Sequence, residues 1–141
     1  MSSIRHQLTI EAPAALVYQA LSKPEAIGTW WDRQTAAQTD RGLVMEHDPG
    51  PQHGVVKLRV VEHLPSRRVE WECISTHPSS SPASAWTGKR FTFELVERGG
   101  TTTVNFSQTG YDEQSEFFAS NNFAWAQVLA NLKRVVESER R

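Results

Sequence analysis

His47 and His53 flank the run Asp48-Pro49-Gly50-Pro51-Gln52, and two imidazoles with a carboxylate are a donor set that zinc accepts. A strand residue and a loop residue at this spacing need not converge, and no second pair supports them. No metal site is therefore expected, and no cofactor is implied. His6, His63 and His77 read as surface or strand-end residues. Cys73, the single cysteine, alternates inward beside Trp71 and reads as a small buried hydrophobe rather than a nucleophile. The chain carries no Gly-x-Ser-x-Gly elbow, phosphate loop or His-Glu-x-x-His, so no catalytic residue is assigned.

What remains is a set of aromatic and apolar residues with a few polar members: Trp30, Trp31, Met45, His47, Leu58, Trp71, Cys73, Trp86, Phe91, Phe93, Phe106, Tyr111, Phe118, Asn122 and Trp125. Small-molecule sites have this composition, with apolar walls and a few groups that fix orientation. His47, Tyr111 and Asn122 would be the hydrogen-bonding points. An ordinary core needs much the same residues, and periodicity does not separate a filled interior from an empty one. Asn122 carries extra weight, because a buried amide must bond backbone, water or ligand.

These residues need elements to place them. Gln7 to Glu11 alternates as a strand. Pro13 suits a helix start, and Leu16/Ala20 and Val17/Leu21 give one apolar side to a helix over 14–21. Ser22-Lys23-Pro24-Glu25 matches a capping box, predicting a second helix towards Trp30-Trp31. Strands are predicted at 42–47, 55–61, 69–73, 90–96 and 102–108, joined by short turns, which argues for an antiparallel meander. Thr76 to Ala85 is Ser- and Pro-rich and reads as a mobile loop too polar to pack. Trp86 at its end either anchors the loop base or belongs to a lid. Asp112 is the predicted cap of a terminal helix of some six turns, with Glu113 and Glu116 at its positive end. Its stripe is Phe118, Asn122, Trp125, Leu129, Leu132 and Val136, with Phe117, Asn121 and Val128 flanking, and Arg140-Arg141 as a solvated tail.

The 141 residues fit one domain, 1–141, and 38% hydrophobic with 22% charged residues excludes disordered and coiled-coil classes. Fifteen Lys+Arg against sixteen Asp+Glu leaves no electrostatic footprint for nucleic acid. Neither a signal-peptide core nor a membrane span of roughly 18–20 apolar residues is present, and a cytoplasmic location is expected.

Thr9-Ile10-Glu11-Ala12-Pro13, Val17-Tyr18-Gln19-Ala20-Leu21, Lys23-Pro24-Glu25, Ile27 and Trp30-Trp31 together resemble the opening of the START-like, or SRPBCC, superfamily. The similarity is nearest to the AHSA-type branch, named after the activator of the heat-shock chaperone ATPase. Gly54, Pro65-x-Arg67-Arg68, Trp71, Phe91 to Leu95, Gly110-Tyr111 and Trp125 continue it over nearly the whole chain. The resemblance implies an α+β helix-grip fold: a curved antiparallel sheet of six to seven strands around a long C-terminal helix, in the order β-α-α-β-β-β-β-β-β-α. Members often hold a cavity between sheet and helix, so binding of a small hydrophobic or amphipathic molecule is expected, in a cavity of about 300 Å³ or more. A cyclase- or dehydratase-type enzyme acting on a polyketide-like or aromatic substrate is the first alternative, with His47, Tyr111 or Asn122 as relay. Regulation of the chaperone ATPase in a stress response is the second. It is weakened because the eukaryotic activators carry an additional N-terminal domain for which this chain has no residues. Monomer and homodimer stay equally open.

Overall fold

The computed structural model describes residues 2–111 and 116–140. The chain runs β1 (Ser2–Ile10), α1 (Ala14–Ser22), α2 (Pro24–Ile27), β2 (Thr35–Thr39), β3 (Gly42–His47), β4 (Val56–Leu64), β5 (Arg68–Cys73), β6 (Arg90–Arg98), β7 (Thr101–Tyr111) and α3 (Glu116–Glu139), with a 3₁₀ turn over Pro82–Ala85. One antiparallel sheet holds all seven strands in the order β1-β7-β6-β5-β4-β3-β2. The expected helix-grip architecture and element order are thus present. Strands β2 to β7 form a meander, and β1 closes on β7.

Register follows from the alternation. Phe93 pairs Phe106, Trp71 pairs Phe91, Leu58 pairs Cys73, Met45 pairs Leu58 and His47 pairs Val56. Each of these residues is buried, so the inner face is one apolar surface from β7 to β3. The outer face is charged. Arg68 bridges Glu62, Glu70 and Glu94, while Glu70 also takes Arg90 and the Thr92 hydroxyl. Edge strand β2 is exposed throughout, and its Thr-Ala-Ala-Gln-Thr shows no apolar alternation, so the sequence pattern predicts no strand there.

Helix α3 buries Trp125, Leu129, Leu132 and Val136 against the sheet and Asn121 against the loop that precedes β6. Asn121 therefore takes the stripe position expected of Asn122, which is only half-buried and offers its backbone carbonyl to His6 Nε2 at 3.2 Å. One further local expectation fails. The Ser22 capping box does not form: Lys23 caps α2 without a side-chain bond, and Ser22 Oγ donates to the Tyr18 carbonyl at 2.7 Å. Arg140 is exposed, as a solvated tail would be, and its guanidinium donates to the Glu11 carbonyl at 2.7 Å. The predicted cap Asp112 and the expected dipole partner Glu113 lie outside the described residues. Among those described, no helix is long and apolar enough to cross a membrane.

Candidate functional site

Trp125 rises from the centre of α3 into the cup of the sheet. Its ring lies 4.6 Å from Phe106, 5.6 Å from Phe91 and 6.4 Å from Phe93, and Phe93 in turn meets Trp71 at 5.0 Å. The middle of the sheet–helix interface is therefore filled by rings. Trp30, Met45, Leu58, Trp71, Cys73, Phe91, Phe93, Phe106 and Tyr111 are all buried core. The Trp30 indole donates to the Ala20 carbonyl at 2.8 Å, and the Tyr111 hydroxyl donates to Gln108 Oε1 at 3.1 Å. Phe118 packs edge-on to Tyr111 at 5.6 Å and is part of the same body. Burial pushes the Cys73 thiol and the Tyr111 phenol up, leaving both protonated near neutral pH.

A hollow opens instead at the rim, where the loops meet the first half of α3. Its volume is about 190 Å³, below the size expected for a central cavity. Of the predicted set it brings together Trp31, His47, Trp86 and Trp125, and adds Asp32, Pro49, His53, Val56, Pro82, Ala83, Ala124 and Val128. A roomier depression over Ala130, Lys133, Arg134, Glu137 and Ser138 is a groove on α3 in which Lys133 Nζ and Glu137 Oε2 already pair at 2.7 Å.

Three indoles make the wall. Trp31 lies 5.1 Å from Trp125 and 6.0 Å from Trp86, and Trp86 lies 6.3 Å from Trp125. Trp31 also stacks on Trp71 at 6.0 Å, so it covers the packed core with one face. Asn121 sets Trp86, accepting from its indole N–H at 3.2 Å and donating to the Pro82 carbonyl at 3.2 Å. Trp86 is thereby both the loop's anchor and a wall of the hollow.

The segment 76–85 is not too polar to pack. Ser81 is buried, caps the 3₁₀ turn through Ala83 N–H, and meets His53 Nδ1 at 2.6 Å. His77 Nδ1 donates to the His53 carbonyl at 2.7 Å, and Nε2 meets Ser75 Oγ at 2.8 Å. His77 is thus a pin between two loops rather than a surface residue. The β3–β4 connection is closed by its own bonds, Gly50 N–H to Asp48 Oδ1 and His53 N–H to the Gly50 carbonyl.

His47 supplies the polar point. It stands at the end of β3 with only 2% of its side chain exposed, edge-on to Trp31 at 4.8 Å. Burial lowers its pKa below the usual 6.5, against the pull of Asp32 and Asp48. Its Nδ1 meets Gln34 Oε1 at 2.9 Å, and its Nε2 lies 3.6 Å from Asp32 Oδ2. His47 and His53 do share this hollow, through the β3–β4 turn. Asp32 carried no pattern in the sequence beyond following Trp31, and Ala83 and Ala124 are recognisable as lining only in three dimensions.

The sequence model of the family described as Activator of Hsp90 ATPase homolog 1-like protein matches residues 11–137. No curated protein sequence matches the chain. Among solved structures, the solution structure of the Aha1 dimer from Colwellia psychrerythraea is 25% identical, with 97% of each chain covered and a TM-score of 0.80. The crystal structure of MLL2253 from Mesorhizobium loti is 17% identical over 97% of this chain and 98% of that one, with a TM-score of 0.79. DynU16, a protein of the dynemicin biosynthetic locus, is 17% identical over 99% of this chain and 49% of its own, with a TM-score of 0.75.

Proposed function

The chain belongs to the Activator of Hsp90 ATPase homolog 1-like protein family, and from that premise we propose that it binds a small hydrophobic or amphipathic molecule in the rim hollow. The carrying observation is the wall of Trp31, Trp86 and Trp125 around about 190 Å³ beside the buried His47. Folding ordinarily removes indoles from water, because each carries a large apolar area. Here Trp31 and Trp86 stay half-buried at an opening, and an occupant would cover the surface they leave exposed.

Titration calorimetry with small aromatic molecules tests this reading. A bound probe at 100 times its Kd raises stability by about 2.7 kcal/mol, visible as a higher Tm. Ala124→Phe, at an exposed position of α3 on the hollow, leaves the fold intact and removes the binding. A panel of such probes that never binds, or binds the variant equally well, overturns it.

The cyclase- or dehydratase-type alternative draws on the biosynthetic locus of DynU16. Geometry favours binding over catalysis: His47 and Asp32 stop at 3.6 Å, and the Tyr111 hydroxyl is committed to Gln108 inside the core. Chaperone regulation rests on the family description alone. A homodimer, the form solved for the Colwellia protein, is compatible with a rim site.

A further inference from the structure

Taking the rim hollow as a binding site, we propose that its occupant is a small arylalkyl ammonium, a protonated amine joined by a short chain to one flat ring. The argument begins with the direction of hydrogen bonds. Gln34 Nε2 donates to the Asp32 carbonyl at 2.8 Å, which turns Gln34 Oε1 towards His47 Nδ1. An amide oxygen only accepts, so Nδ1 carries the proton. With the buried imidazole neutral, Nε2 is a bare lone pair. Opposite it, at 3.6 Å, stands a carboxylate oxygen that also only accepts. Two acceptors therefore face each other at the edge of the hollow, and an N–H donor placed between them satisfies both.

Charge points the same way. Among the described residues, no lysine or arginine lines the hollow, and Asp32 is its only acidic residue. An anion would meet a carboxylate, a lone pair and the negative faces of indoles. A cation meets attraction from each, since indole is the strongest of the side-chain rings for cation–π contact. Size sets the rest. An apolar cavity of about 150 Å³ takes a benzene molecule. The hollow's 190 Å³ leaves room for a ring and a short tail that ends at His47 and Asp32.

Three probes with equal numbers of heavy atoms separate the possibilities: phenethylamine, 2-phenylethanol and propylbenzene, titrated calorimetrically at pH 7.5. The ammonium is expected to bind about ten-fold more tightly than propylbenzene, with the alcohol between them. Asp32→Asn, at a half-exposed side chain, should shrink the ammonium's advantage to under about three-fold and leave propylbenzene unchanged. If propylbenzene matches or exceeds the ammonium, the ligand class is wrong while the hollow remains a binding site. If the advantage survives Asp32→Asn intact, the assigned recognition is wrong. If none of the three binds, the hollow is not a site and both readings fall.

Discussion

Asn121 and Asn122 are a tie that helical geometry creates. At about 100° per residue, both lie roughly 50° from the mean direction of Trp125, Leu129, Leu132 and Val136, on opposite sides. Apolar periodicity therefore could not choose between them, and the choice is made by Trp86 and Pro82, which come from a distant loop. Asn121→Ala should cost about 1–3 kcal/mol in urea denaturation, because it strands the Trp86 N–H and the Pro82 carbonyl together. Asn122→Ala should stay within about 0.5 kcal/mol. Equal costs would mean that the loop is not held this way. His47 and His63 give a pH signature at the same scale, both held below 6.5 by burial. Below that pH the unfolded chain takes up protons that the folded one refuses, so stability is full above about 6.5 and falls as acid is added. The Tm should drop between pH 7.5 and 5.5. The double variant His47→Gln/His63→Gln should drop less over the same interval, and an unchanged slope would remove these residues from the account.

At the scale of elements, legibility tracks how many neighbours an element needs. Strands β3 to β7 could be read because one face is buried and the other wet, which writes itself as alternation. Edge strand β2 could not, because neither face is covered and its pairing with β3 comes from the chain reversal at Asp40-Arg41. The capping box failed since Ser22 finds the Tyr18 carbonyl of its own helix, a local competitor that the four-residue pattern ignores. The outer face of β5 and β6 makes a prediction of its own. Glu70 is desolvated, yet its pKa is lowered, because Arg68, Thr92 and Arg90 bond to its carboxylate. Its contribution is present above the ordinary carboxylate range and lost as pH falls through the lowered value, a window separate from that of the histidines. Glu70→Ala should cost about 1.5–3 kcal/mol at pH 7, as hydrogen bonds to charged partners do. Glu94→Ala, which leaves Arg68 its bonds to Glu62 and Glu70, should cost less than about 1 kcal/mol.

At the scale of the whole molecule, the proposed site and the stabilising core divide along α3. Its C-terminal half places Leu129, Leu132 and Val136 in the core and pins the chain start through Lys133 to the Thr9 carbonyl and Arg140 to the Glu11 carbonyl. Its N-terminal half sets Trp125 on the strands and also meets the three loop segments that build the hollow: Trp31-Asp32, the β3–β4 turn, and the segment ending in Trp86. The aromatic residues that line the hollow were legible as large side chains because their types are rare. Their arrangement was not, since a ring that fills the centre and a ring that walls the rim share one periodicity. Segments with few ladder hydrogen bonds open more readily than a seven-stranded core. A ligand in the hollow joins three such segments to one helix, so it should suppress their opening while β6 and β7 exchange as before. Hydrogen exchange with and without a saturating probe should slow amides in 48–55 and 75–88, and leave 91–97 and 102–108 unchanged. Leu132→Ala should do the converse, lowering global stability by about 2–5 kcal/mol with probe affinity intact at temperatures where the variant is folded. Slowing spread evenly over the sheet would place the ligand in the centre of the grip, among Phe91, Phe93 and Phe106, and would require those rings to move aside.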